Sequence, residues 1–259
     1  MSVEPALSGY RNCADLEQEL VNNSSIEHAI AKLAIINCEL EVSCLLEQLV
    51  TPDRPTVVSF INQHAVSLSA ADPAFIEALL ASDLLLRDGV AMKALLWTRG
   101  RRAGLNMNGT DFIPRLLSAR PTASVAFYGS TTEWLQRAAA HARRITGNQS
   151  ISLMDGFRAS SAYVARAKAE RPEIIVLGMG MPKQEIVARQ LRAALDYPCL
   201  IVCGGAILDF LGGRFPRAPK LIRRLGLEWL HRLALEPKRL WRRYFVGGAG
   251  FLTFALSAR

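Results

Sequence analysis

Residues 173–185 read EIIVLGMGMPKQE: an unbroken apolar run from Ile174 to Leu177, glycines at 178 and 180, and Pro182 just ahead of Lys183, Gln184 and Glu185. A short, wholly apolar, β-branched run is the pattern of a strand buried on both faces. A proline at the head of an amphipathic stretch marks a helix start, because its missing N–H has no partner there in any case. The unit is therefore strand, turn, helix, and the same alternation extends outward in both directions. It predicts strands near 32–36, 56–61, 84–87, 123–128, 150–154, 173–178 and 199–203, and helices near 41–50, 73–82, 90–98, 110–119, 132–145, 160–170 and 183–195. Such alternation implies an α/β fold, a Rossmann-like and mostly parallel sheet with helices on both faces. This body covers residues 31–213. Residues 1–30 read as a variable N-terminal extension, and residues 214–259 as a basic, amphipathic C-terminal appendage.

The appendage stands out by charge. Residues 214–243 hold ten basic side chains against Glu228 and Glu236, a surplus of eight that equals the net charge of the whole 259-residue chain, so the remainder is neutral. A neutral body with a basic end points to an anionic partner: phosphate, anionic lipid or nucleic acid. Leu225, Trp229 and Leu233 recur every four residues, as do Leu240 and Tyr244, which predicts a helix pair broken at Glu236-Pro237. Aromatics interleaved with arginines favour an interfacial membrane helix over a merely solvated one. The N-terminus lacks the basic and apolar regions of a signal peptide, and the longest uncharged apolar run, 244–256, is too short and glycine-rich to span a bilayer. Half of the residues are hydrophobic, which excludes a disordered chain. Five cysteines without a CxxC pair exclude a disulfide framework, and a reducing cytoplasm is expected.

In an open parallel sheet, ligands bind at the carboxyl ends of the strands. Gly129, Gly178, Gly180, Gly204 and Gly205 follow three such ends, where backbone N–H groups and helix N-termini donate to phosphate oxygens. A dinucleotide-dependent oxidoreductase or epimerase is the nearest competitor. It fails because Lys183 takes the third small position and no acid follows the next strand. Gln184 and Glu185 are first-turn side chains that either face the ligand or cap the helix. Asp88 in LLLRDG and Asp155 in SLMDG both end strands beside glycine; either is a candidate general base, and either is an ordinary Asp-Gly turn. The residues alone leave the two tied. No DxD, HExxH, P-loop or GxSxG motif occurs, so no metal site and no cofactor is expected. Cys199 and Cys203 lie in an apolar strand and read as core.

Several motifs together resemble the WecG/TagA/CpsF glycosyltransferases, glycosyltransferase family 26: VVSFIN ending at Asn62, LLLRDG, NGTDF with Gly109 and Asp111, GMGMPKQE, and RAP followed by GLEWLHRLALEPKRLWRR. The resemblance covers about residues 32–245. It implies inverting, metal-independent transfer of a sugar from a UDP-sugar to a polyprenyl-diphosphate-linked saccharide, by a peripheral protein at the cytoplasmic face of the bacterial inner membrane. It favours Asp88 as the base, matches Asn62 and Gln184 to pocket residues, and matches Arg232, Arg239 and Arg242 to arginines of an appendage that closes over the site. Asn106, Gly109, Asp111, Gly129, Gly178, Gly180, Glu185, Gly204 and Gly205 are the expected substrate-binding set. Two positions depart from the pattern: Phe60, with Ser59 as the nearest hydroxyl, stands where some members carry threonine, and Asn106 stands where others carry arginine. SFIN and NGTDF resemble the xanthan- and acetan-type branch, which implies β-1,4 transfer of glucose from UDP-glucose in exopolysaccharide synthesis; UDP-N-acetylmannosamine or its uronic acid is the alternative donor. Nucleic acid is not expected as a partner, and self-association is left open.

Overall fold

The computed structural model describes residues 13–257, without the side chains of residues 13–20, 239, 242, 246 and 257. All seven expected strands form: β1 (Leu33–Ala34), β2 (Thr56–Ile61), β3 (Leu84–Arg87), β4 (Val125–Gly129), β5 (Ile151–Met154), β6 (Ile174–Gly178) and β7 (Leu200–Cys203). They make one sheet in the order β1-β3-β2-β7-β6-β4-β5, every pair parallel. The first three strands fill one half and the last four the other, and the halves meet where β2 pairs with β7.

The helices are α1 (Cys13–Ala31), α2 (Glu39–Leu49), α3 (Gln63–Ala71), α4 (Pro73–Leu80), α5 (Val90–Thr98), α6 (Gly109–Ala119), α7 (Thr132–Thr146), α8 (Ser160–Glu170), α9 (Lys183–Ala194) and α10 (Ile207–Leu211). Side chains alternate across the sheet because successive residues of a strand point to opposite faces. Val176 and Val202 join Phe112, Leu116 and Leu135 of α6 and α7 on one face. Ile175, Leu177 and Ile201 join Tyr163, Val187 and Leu191 of α8 and α9 on the other. A third cluster gathers Ile61 and Leu85 with Phe75, Leu79, Met92 and Leu95 of α4 and α5.

The structure differs from the sequence reading in several places, beginning with α3 and α10, which form where no helix was expected. Residues 1–30 read as an extension, yet α1 carries Ile26, Ala29 and Ile30 into the third cluster; the polar run Asn22-Asn23-Ser24-Ser25 hides its helical period. The appendage folds as α11 (Lys220–Arg224), α12 (Glu228–Leu235), α13 (Pro237–Trp241), a π-helical turn (Arg242–Val246) and α14 (Gly247–Ser257). The break at Pro237 is where it was expected. Leu225 and Trp229, however, do not share a helix, since Gly226 turns the chain with φ +73°. The final helix returns to the body: Phe251 and Phe254 are buried with Ile26, Ala65 and Val66, and Ser67 Oγ donates to the Gly247 carbonyl at 2.5 Å. The core therefore crosses the boundary that composition draws at residue 213.

Candidate active site

A cleft of about 750 Å³ opens over the carboxyl ends of β3, β2, β7 and β6, the four central strands. Its walls include Asn62, Asp88, Asn106, Gly109, Gly178, Gly180, Gln184, Gly204 and Gly205 from the body and Trp229, Arg232, Arg243, Tyr244 and Phe245 from the appendage. Asp155 is absent from it, because β5 is the edge strand. The Asp155 carboxylate closes its own turn, accepting from Phe157 N at 3.1 Å and Arg158 Nε at 2.8 Å. Strand order thus separates two carboxylates that the sequence left tied.

Asp88 follows β3 and is held from three sides. Its backbone N–H donates to the Ile61 carbonyl at 2.8 Å, continuing the β2–β3 pairing by one residue. Asn62, at the end of β2, donates from Nδ2 to Asp88 Oδ2 at 3.2 Å and accepts from Ala65 N at 3.1 Å as the N-cap of α3. Behind it the buried Arg87 donates to the Ala103, Gly89 and Gly104 carbonyls at 2.7, 2.8 and 3.1 Å. That latch brings up Asn106, whose Oδ1 accepts from Gly89 N at 2.8 Å. Burial pushes the Asp88 carboxyl above the ordinary aspartate range, opposed by the Asn62 hydrogen bond and the charges of Arg243, Arg232 and Arg87.

Arg243 and Arg232 reach the cleft from the π-helical turn and α12. The Arg232 guanidinium lies 5.1 Å from the Phe210 ring centre. Beside them His64, in the first turn of α3, is drawn down to about 4 by burial and by the Arg243 charge, so its imidazole is neutral near pH 7. Asp209 completes the polar lining, accepting from Ser130 Oγ at 2.6 Å and from Arg214 at 3.3 Å. Trp229 and Tyr244, with ring centres 5.5 Å apart, form an aromatic wall.

Of the other expected residues, some lie outside the cleft and others hold its turns in place. Asp111 belongs to an N-terminal cap: its N–H donates to Asn108 Oδ1 at 2.9 Å, and its carboxylate meets Arg217 at 3.0 Å and Arg223 at 3.5 Å. The RAP arginine, Arg217, also pairs with Glu228 at 3.3 Å, tying α6 to α12. Gly129 sits against β6, where an added Cβ would lie 2.3 Å from the Gly178 carbonyl carbon; its lack of a side chain serves packing between strand ends. Glu185 is buried behind the cleft rather than lining it. The N–H groups of Gly180 and Gly205 donate to Gln184 Oε1, and that of Gly204 to the Leu177 carbonyl, so these three glycines do not present open donors. Ser59 is fully buried against Ser82 Oγ at 2.8 Å, whereas Phe60 lines the cleft. The side chains of Arg239 and Arg242 lie outside the described residues.

His64, Asp209 and Arg243 escaped the sequence reading. Arg243 was visible only within the charge surplus, His64 follows Asn62 by two residues, and Asp209 lies four beyond Gly205 without a motif of its own. Among the described residues no group of three or more His, Cys, Asp or Glu side chains comes together. The cleft pairs an anchored carboxylate with arginines over the carboxyl ends of a parallel sheet, a setting suited to a substrate with an anionic leaving group. The model of the glycosyl transferase WecG/TagA/CpsF family matches residues 30–259. With nearly the whole chain matched, from the end of α1 to the C-terminus, the protein belongs to the WecG/TagA/CpsF family of glycosyltransferases.

Proposed function

We propose that the cleft transfers a sugar from a UDP-sugar to a hydroxyl of a polyprenyl-diphosphate-linked saccharide, with inversion at the anomeric carbon. The observation that carries this reading is the Asp88 carboxylate, anchored by Asn62 in a cleft that Arg232 and Arg243 also enter. Asp88 takes the proton of the acceptor hydroxyl as its oxygen attacks the anomeric carbon. The bond to UDP breaks with its electron pair on the diphosphate, and the arginines meet the charge that develops there. A base in this role contributes about 10² to 10⁴ in rate. Burial raises the basicity of Asp88 for the task, and the Asn62 hydrogen bond and the neighbouring cations oppose that rise.

The surface around the appendage supports docking on anionic lipid. Among the described residues, ten of the sixteen exposed large apolar side chains lie after residue 213, including Leu221, Leu225, Trp241 and Phe245. Exposed Lys220, Arg224 and Lys238 stand among them. Apolar side chains interleaved with cations are the composition of an interfacial surface, each cation near an anionic membrane adding about 1 kcal/mol. No helix of the described residues is long and apolar enough to cross a membrane. The cytoplasmic face of the bacterial inner membrane, where UDP-sugars and lipid-linked acceptors meet, is the proposed location.

UDP-glucose, transferred with a β-1,4 linkage in synthesis of a xanthan-like exopolysaccharide, is the proposed donor. Asn106 supports a neutral sugar: at a position where relatives carry arginine it commits its carbonyl oxygen to Gly89 N and brings no cation to meet a uronic acid. The test is incubation of the full chain with a panel of UDP-sugars and short-chain polyprenyl-diphosphate acceptors, read by mass. Glucose transfer with inversion is expected. Transfer of N-acetylmannosamine or its uronic acid instead replaces the donor, and no transfer from any UDP-sugar overturns the proposal.

A further inference from the structure

Gln184 and Glu185 are each only 1% exposed, and their polar atoms turn on the protein itself. Gln184 Oε1 accepts from Gly180 N at 3.2 Å and from Gly205 N at 2.9 Å. Gly180 lies in the turn after β6 and Gly205 in the turn after β7, so one amide oxygen ties together two turns that line the cleft. Both turns have positive φ, +80° and +60°, and so depend on glycine as well as on this bond. The oxygen thereby fills its two acceptor positions.

The other end of the amide is held by Glu185. Gln184 Nε2 donates to Glu185 Oε1 at 2.8 Å, while Glu185 Oε2 is buried without a hydrogen-bond partner among the described residues. An ionised carboxylate is costly in such a place, and burial pushes this one up to about 8, so it is protonated at neutral pH. A neutral carboxyl keeps a carbonyl oxygen for Nε2 and needs no counter-ion. Without that acceptor the buried NH2 group would be unpaired, and the amide would gain by leaving its place and releasing Gly180 and Gly205.

We propose that Glu185 is a positioning residue that acts through Gln184, fixing the Gly180 and Gly205 turns in the arrangement that receives the sugar nucleotide while touching no substrate itself. The kinetic part of the test rests on the sugar-transfer reading; the structural part does not. In the full chain, E185M and E185L remove the acceptor, E185Q retains one, and E185M guards against a folding defect of the branched side chain. The expected result is a tenfold or greater rise in the sugar-nucleotide KM for E185M and E185L, with kcat changed less than threefold, and recovery in E185Q. In a Q184A background the E185M substitution adds nothing further, the signature of one residue acting through another. Independently of activity, amide hydrogen exchange at Gly180 and Gly205 accelerates tenfold or more in Q184A and E185M and stays slow in E185Q. Unchanged exchange in E185M overturns the clamp whatever the assay shows. Losses that multiply in the double variant, or E185Q failing as E185M does, overturn it in favour of a direct role for the acid.

Discussion

Asn62 donates to Asp88 across the ends of two neighbouring strands, 3.2 Å from Nδ2 to Oδ2, with the same amide capping α3 through Oδ1. One side chain thus starts a helix and orients the proposed base. N62A removes both functions, and loss of the cap alone costs about 0.5–2 kcal/mol. N62D keeps an acceptor for the cap but sets a second carboxylate beside Asp88, and like charges at this range push one carboxyl upward. The acid limb of the pH profile of kcat/KM should therefore move up by about one unit or more in N62D, with little change in melting temperature at pH 8. An unmoved acid limb would show that the pair is not coupled during turnover.

Asp88 and Asp155 separate cleanly by mutation. D88N is expected to fold, bind UDP and lose about 10² to 10⁴ in kcat. D155N alters an edge-strand turn outside the cleft and should stay within about threefold of wild type, roughly 0.6 kcal/mol in the barrier. Single-turnover measurements on both variants decide the assignment, and a reversed order would move the base to β5.

Arg243 acts on three titrating groups at once, Asp88, His64 and Glu185, and the first two line the cleft with it. Its positive charge favours the Asp88 carboxylate and disfavours the His64 imidazolium, so it lowers both. R243M should let both rise, shifting the acid limb of the activity profile to higher pH and raising the sugar-nucleotide KM. A profile superimposable on wild type would remove Arg243 from the electrostatics of the site.

Stability should respond to pH with opposite signs at two residues. Glu185 has a folded value near 8 against 4.5 for the free side chain. The folded state binds the extra proton between those values, so this contribution is full below about pH 4.5 and is lost as pH rises to 8. His64 has a folded value near 4 against 6.5, so its contribution is full above about pH 6.5 and is lost as pH falls toward 4. The melting temperature of E185Q minus that of wild type should therefore rise between pH 5 and pH 8 and then level off. A difference that stays flat across this window would mean that Glu185 is ionised in the folded protein.

The C-terminal segment should contribute to folding as well as to docking. Ending the chain at Gly213 removes Phe251 and Phe254 from the cluster they share with α1 and α3. At about 1.5–3 kcal/mol for each large side chain, the shortened protein is expected to melt several degrees lower and to aggregate, which composition alone did not suggest. The exposed, stacked pair Trp241 and Phe245, 3.8 Å between ring centres, offers a gentler test. W241S/F245S should keep the melting temperature within about 2 °C, on the order of 1 kcal/mol, and reduce sedimentation with vesicles containing anionic lipid. Undiminished binding would move the lipid contact elsewhere.

What the sequence determined by itself is what local chemistry specifies. Runs such as Ile174–Leu177 have one way to bury both faces, so each strand and most of the helices between them could be read from hydrophobic pattern and from Pro182 at a helix start, whereas α3, capped by Asn62, and α10 could not. Parallel pairing followed, because strands joined through helices must run the same way. The order of the strands did not follow, since nothing local tells β2 to pair with β7 instead of β4. That order alone brings Asn62, Asp88 and the two glycine turns to one cleft and leaves Asp155 at the edge. The glycines were legible as turns, but the partner of their N–H groups was not, because Gln184 Oε1 reaches Gly205 across 21 positions. His64 and Arg243 were illegible for the same reason: they lie 179 residues apart, and only the return of the C-terminal helices onto α3 makes one charge act on the other.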